Sequence, residues 1–157
     1  MTPAVKAAQA AGVDIRLHEY AHDPANKDYG QEAADALGLS PQRVFKTLLV
    51  ALNGDARRLV VAVVPVSGQL DLKLMAAACK AKKAEMTDPA SAQRATGYVI
   101  GGISPLGQKR RLPCVIDTSA LDHPSVFVSG GRRGLDIEIA PDDLVSLTAA
   151  LVAPIGR

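Results

Sequence analysis

The stretch that most restricts the fold is VFKTLLVALNGDARRLVVAVVPV, Val44 to Val66. Two apolar runs rich in β-branched residues flank Asn53-Gly54-Asp55, and Asn-Gly between such runs is a strong hairpin signal because both residues accept positive φ. Both runs are apolar on both faces. The hairpin therefore belongs in the middle of a sheet, with further elements covering each side. Only Lys46 breaks the first run. It shares a strand face with Val44, Leu48 and Val50, so its ammonium either snorkels to an edge or enters a concave site. If buried it requires an anionic partner or ligand, since an isolated buried charge is very costly.

Around the hairpin the pattern alternates between helix and strand. Thr2-Pro3 has the form of an N-cap and first helical residue, and Gly12 stops the helix after AVKAAQAA. In VDIRLHEY, Val13, Ile15 and Leu17 alternate with polar residues, which predicts a half-buried strand ending near Tyr20. AHDPANKDYG reads as a loop and QEAADALG as a short helix closed by Gly38, with a turn at Ser40-Pro41. Asp71 is placed to cap LKLMAAACKAKKAEM, a helix over 72–86 with Leu72, Met75, Ala76 and Cys79 on one stripe. Asp88-Pro89 starts a further helix, ASAQRA, which Thr96-Gly97 ends. YVIGGISPLGQKRRLPCVID is a Gly/Pro-rich loop between two strand-like runs, and SVFVSGGRRGLDIEIA repeats strand, glycine turn, strand. Pro141 opens the final helix, DDLVSLTAALV. Strands in the middle with helices at both ends and between them define a mixed α and β class, and the hairpin excludes a purely wound parallel sheet.

At 157 residues the chain is expected to form one domain, 1–157, with no need of disulfides or metals. Three Tyr, two Phe and no Trp leave an aliphatic core, and they exclude aromatic stacking as the main way of holding bases. The apolar run Leu59 to Val66 is too short to cross a bilayer, and MTPAVKAAQAAG has no signal-peptide core, so a cytoplasmic protein is expected. Cys79 and Cys114 lie far apart and are read as two buried, reduced thiols. His18, His22 and His123 are scattered, and neither a metal site nor a nucleophilic triad is indicated.

The formal net charge is only +2, but from Lys73 to Arg111 eight basic residues face two acidic ones. Such a segment is either a face for a polyanion, with Arg132 and Arg133 joining it, or an ordinary solvated helix face and loop. Gly101, Gly102, Ile103, Ser104 and Pro105 could turn backbone N–H groups towards a ligand, or could simply make a tight connection. In VSGGRRGLDIEI, Ser129 and Asp136 flank three glycines and two arginines. A carboxylate there suits an α-amino group and the arginines suit phosphate; Asp136 would equally serve as a cap or face solvent.

Taken together, HDP (His22 to Pro24), FKTLLV, NGD, PVSGQLDLK, TGYVIGGISPLGQKRRLP and VSGGRRGLDIEI closely resemble the YbaK/EbsC family of bacterial aminoacyl-tRNA deacylases, related to the inserted editing domain of prolyl-tRNA synthetase. The resemblance spans nearly the whole chain and is nearest to members that remove cysteine from tRNA(Pro) and tRNA(Cys). It implies an α+β fold with a curved, mostly antiparallel mixed sheet or open barrel and surrounding helices. It also implies a trans-editing enzyme without cofactor or metal. Its partners would be tRNA(Pro), with tRNA(Cys) as a second substrate, and prolyl-tRNA synthetase in a ternary complex, but neither DNA nor membrane. By the same resemblance Lys46, Gly101 and Asp136 are the catalytic positions. Tyr20, Thr47, Gly102, Ile103, Ser104, Pro105, Ser129 and Gly131 hold the substrate. Lys80, Lys82, Lys83, Lys109, Arg110, Arg132 and Arg133 are the expected tRNA contacts, while Tyr29 and Phe45 carry no catalytic duty. The implied chemistry is attack of the cysteine thiol on its own ester, giving a thiolactone; hydrolysis of another small residue such as alanine, or tRNA binding without catalysis, are the alternatives.

Overall fold

The computed structural model describes residues Met1–Arg157. In chain order the elements are α1 (Pro3–Ala10), β1 (Ile15–Glu19), α2 (Tyr29–Leu37), β2 (Phe45–Leu52), β3 (Asp55–Pro65), α3 (Leu72–Ala78), β4 (Ala84–Met86), α4 (Pro89–Thr96), β5 (Cys114–Asp117), β6 (Val126–Arg132), β7 (Leu135–Ile139), α5 (Pro141–Thr148) and β8 (Leu151–Ala153), with a 3-10 turn at Thr118–Asp122. They form two sheets, β1-β7-β6 and β4-β2-β3-β5-β8. All pairings are antiparallel except β3–β5 and β5–β8. The sheets are open, and the fold is the mixed α+β arrangement that the sequence implies.

The hairpin forms where Asn-Gly demands it: Asn53 and Gly54 take φ of 55° and 70°, the left-handed pair of a type I′ turn. Its strands divide their side chains between two cores. Phe45, Leu49, Ala51, Leu59, Val61 and Val63 enter the larger cluster, with α1 and the β6–β7 strands. Val50, Leu52, Val60, Ala62 and Val64 enter the smaller one, with Met75 and Ala76 of α3. Apolar alternation on both faces is thus the direct cause of the hairpin's central position.

Three expected elements differ. The helix from Leu72 stops at Ala78 rather than continuing to 86, and Lys80 adopts φ 54°. The Asn53 carboxamide accepts hydrogen bonds from the N–H groups of Lys82 (2.8 Å) and Lys83 (3.2 Å). That anchor draws Ala84–Met86 onto the edge of β2, so tertiary pairing overrides a helix-forming sequence. YVI is a turn, held by Gly102 N–H to the Val99 carbonyl and Ile100 N–H to the Gln93 side chain. The last helix ends at Thr148, Ala149 turns left-handed at φ 51°, and Leu151–Ala153 pairs with β5 instead. Cys114 is buried as expected, whereas Cys79 at the end of α3 is only half-buried. No helix is long and apolar enough to cross a membrane.

Candidate active site

The site grows from a gap along one edge of β2. Val66 N–H donates to the Val44 carbonyl, which fixes the phase of the ladder. The backbones of Val44, Lys46, Leu48 and Val50 bond β3, and those of Phe45, Thr47 and Leu49 face away from it. On that outer side β6 reaches only the start of β2, where Phe127 N–H donates to the Arg43 carbonyl at 2.9 Å. The β4 segment joins only from Leu49 onward, whose carbonyl accepts from Thr87 N–H at 3.1 Å. Between the two attachments Thr47 has no strand neighbour on that side, and its buried Oγ1 has no hydrogen-bond partner.

A cavity of about 270 Å³ opens into this gap. Tyr20, Lys46, Thr47, Gly101, Ile103, Ser129 and Asp136 line it together, with Lys27, Tyr29, Phe45 and Ile100 among the other walls. Seven of the expected site residues therefore converge from β2, β6, β7, the end of β1 and the 98–113 loop. Gly102, Ser104, Pro105 and Gly131 stand behind this wall. A side chain on Gly102 would meet the Arg132 backbone at 2.9 Å, and one on Gly131 would meet Tyr98 and Thr2. Ser104 is fully buried and caps its own loop by accepting from Leu106 N–H, while Pro105 faces a second cavity shared with Arg110 and Cys114.

The two charged groups sit in opposite surroundings. Lys46 is half-buried and donates to the Gly68 carbonyl at 3.1 Å. The 67–70 segment that supplies this carbonyl is held by Gln69 N–H to the Arg157 carbonyl and the reverse bond, at 2.9 and 2.8 Å. Asp136 lies opposite Ser129 in the β6–β7 register and is 4% exposed. Burial pushes its carboxyl up to about 7. The Tyr20 phenol is raised too, by burial and then by the neighbouring Asp136. Ser129 accepts from Gly131 N–H across the β6 bulge. No imidazole or ionised base bonds a cavity hydroxyl, so the site holds no assembled protein nucleophile.

Sequence reasoning left Tyr29 and the His22–Glu32 pair without duties. Tyr29 packs on Gly101, where an added Cβ would come within 2.5 Å of its ring. The Arg133 guanidinium covers the ring at 4.8 Å and donates from Nε to the Ile100 carbonyl at 2.8 Å. His22 Nδ1 meets Glu32 Oε1 at 2.6 Å behind Tyr29. Position after HDP and at the head of α2 was the available signal. The other expected tRNA contacts disperse. Arg132 pairs with Glu19, Lys109 and Arg110 follow the end of α4 through bonds to the Thr96 and Ala95 carbonyls, and Lys80, Lys82 and Lys83 lie at the far end of β2.

The cavity thus brings a deeply buried acid, Asp136, and a half-buried cation, Lys46, into one space. The family model of the aminoacyl-tRNA editing domain matches residues 23–147. The chain is 35% identical over 154 residues to EbsC of Enterococcus faecalis, which carries the provisional name of Cys-tRNA(Pro)/Cys-tRNA(Cys) deacylase, covering 98% of this chain and 92% of that protein. The crystal structure of the hypothetical protein APE2540 superposes with a TM-score of 0.86 at 26% identity, over 99% of both chains. That of a provisionally assigned trans-editing enzyme for prolyl-tRNA synthetase gives 0.79 at 24% identity, over 100% of this chain and 99% of that one. The chain belongs to the aminoacyl-tRNA editing family, of the YbaK/EbsC type, and its function is aminoacyl-tRNA deacylation.

Proposed function

We propose that this protein clears cysteine from mischarged tRNA(Pro), with tRNA(Cys) as a second substrate, acting in trans beside prolyl-tRNA synthetase in the cytoplasm. The observation that carries the proposal is the pairing of an unpartnered buried acid, Asp136, with a rim cation, Lys46, in one cavity. An aminoacyl ester has the matching polarity. Its α-ammonium suits Asp136, whose ionised form that charge would favour, and the terminal phosphate suits Lys46. The open backbone of Thr47 and the Gly101 loop offer N–H groups for the ester carbonyl.

Because no cavity hydroxyl has a base, the nucleophile is assigned to the substrate. The cysteine sulfur bonds the ester carbon, the bond to the ribose oxygen breaks, and the thiol proton passes to that oxygen, leaving a thiolactone that water later opens. Positioning and electrostatics suffice for an ester already activated. This route discriminates by chemistry, since proline and alanine have no thiol. Water activated by Asp136 is the second reading, favoured by a carboxyl poised near neutral pH. Incubation with Cys-, Ala- and Ser-tRNA(Pro) and with S-methylcysteinyl-tRNA(Pro) separates them. Thiolactone from the first alone supports the proposal, and cleavage of the methylated ester at an equal rate overturns it.

A further inference from the structure

The far end of the central hairpin has no part in the cavity, yet it gathers five basic residues from two separate stretches of the chain. Asn53 ties the residues after α3 to the hairpin turn through Lys82 and Lys83 N–H, making one rigid knob. Arg58 reaches the same place, since its charge acts on Cys79, the residue before Lys80. Arg57, Arg58, Lys80, Lys82 and Lys83 are all exposed, against only Asp55 and Glu85; Arg57 pairs with Asp55 at 3.4 Å.

The backbone at Lys80 fixes where its side chain leaves the knob. It ends α3 in a left-handed conformation, with Ala81 N–H bonded back to the Ala76 carbonyl at 2.9 Å. Glycine is the residue that escapes the Cβ penalty in that position. Lys80 thus stands where glycine would be less strained, and its side chain is presented at the tip of the knob.

Strand β2 acts as a ruler between cavity and knob. From Lys46 to Leu52 it rises about 20 Å at roughly 3.3 Å per residue. A stacked strand running along β2 at about 3 Å of rise per nucleotide would cover that span in about six to seven nucleotides from a terminus held at Lys46. That lies beyond a short unpaired 3′ tail and within a paired stem, which proteins hold through its backbone rather than its sequence. We infer that this knob docks the phosphates of the double-stranded stem of the RNA whose aminoacylated 3′ end enters the cavity. The inference rests on the proposed function of that cavity.

The test compares two cysteinyl substrates, an RNA stem-loop with a tRNA-like 3′ tail and the 3′ ester of adenosine monophosphate. In a Lys82→Gln/Lys83→Gln protein, kcat/KM for the stem-loop falls at least tenfold relative to the mononucleotide ester. The slope of log KM against log salt becomes shallower by about 2. Lys80→Gly raises the melting temperature by about 2 °C while raising KM for the stem-loop alone. An unchanged ratio between the substrates overturns the inference, as does a loss seen only when prolyl-tRNA synthetase is added, which would make the knob a protein-docking surface. If the unsubstituted protein cleaves neither ester, the cavity reading has failed. Fluorescence anisotropy with the uncharged stem-loop then decides the knob: equal affinity for both proteins overturns it, and a tenfold loss in the variant upholds it.

Discussion

His22 Nδ1 and Glu32 Oε1 lie 2.6 Å apart and join the HDP loop to the first turn of α2, a link completed by Asp23 N–H to Glu32 Oε2 at 2.9 Å. Tyr29, whose ring lies 5.8 Å from that of His22, is thereby held against Gly101. The pair thus acts on the cavity at one remove, through the placement of an aromatic wall.

Glu32→Ala should cost about 1–3 kcal/mol by removing a buried acceptor of two hydrogen bonds. Burial tends to raise the Glu32 carboxyl, but the bonds from His22 and Asp23 outweigh it and hold it below the ordinary glutamate value. The folded state therefore favours the carboxylate. Its contribution is present above the unfolded-state value and is lost as pH falls through the lower, folded one. Urea unfolding should show the deficit of the variant at pH 7 narrowing in strong acid, and a deficit independent of pH would remove the charge from this account.

Gly101→Ala should abolish most deacylation while leaving the cores intact. The new methyl would approach the Tyr29 ring to 2.5 Å, and the backbone at φ 86° disfavours any side chain. Two separable costs are involved. Adding Tyr29→Ala to Gly101→Ala should relieve the clash and recover part of kcat, though not the part due to backbone strain. A double-mutant cycle showing no coupling between these positions would contradict the contact.

How much of this was legible in the sequence depends on the range of the interaction concerned. The hairpin, the caps at Thr2, Asp71 and Asp88, and the glycine stops at Gly38 and Gly97 all rest on neighbours within a few residues. They form as local chemistry dictates. Two of the three misplaced elements share one reason: Ala84–Met86 and Leu151–Ala153 are strands only because β2 and β5 offer them edges, and no local signal marks an edge. The same holds in the site. Lys46, Gly101, Ser129 and Asp136 stand out by type within motifs, whereas the gap beside Thr47 exists only once β6 and β4 stop short of each other. The knob shows the limit most directly, since residues 80–83 read as helix and are held as a turn by the distant Asn53, through its side chain and its backbone N–H to the Lys83 carbonyl.

Lys46→Met keeps the aliphatic stem, which packs along β2, and removes only the ammonium and its bond to Gly68. The melting temperature should move by less than about 2 °C. Loss of kcat/KM on Cys-tRNA(Pro) should reach about 100-fold, or about 2.7 kcal/mol of transition-state stabilisation. Wild-type activity in a folded Lys46→Met protein would exclude the lysine from the reaction.

Asp136 offers the sharpest test, because stability and activity should respond in opposite directions. Burial, with no compensating partner, lifts its carboxyl from the ordinary 3.8 to about 7. Between those values the folded chain keeps a proton that the unfolded chain releases, so wild-type stability declines as pH rises from about 4 to 7 and the full penalty applies above 7. A shift of this size corresponds to about 4 kcal/mol. Asp136→Asn, which is neutral at every pH, should therefore be more stable than wild type at pH 8 by a margin of that order, and the margin should shrink towards zero near pH 4. Deacylation should meanwhile fall steeply, because an amide cannot offer the α-ammonium a negative charge. Parallel unfolding curves for the two proteins from pH 4 to 8 would show that the carboxyl is not held protonated by burial. Undiminished activity in the variant would sever it from the substrate.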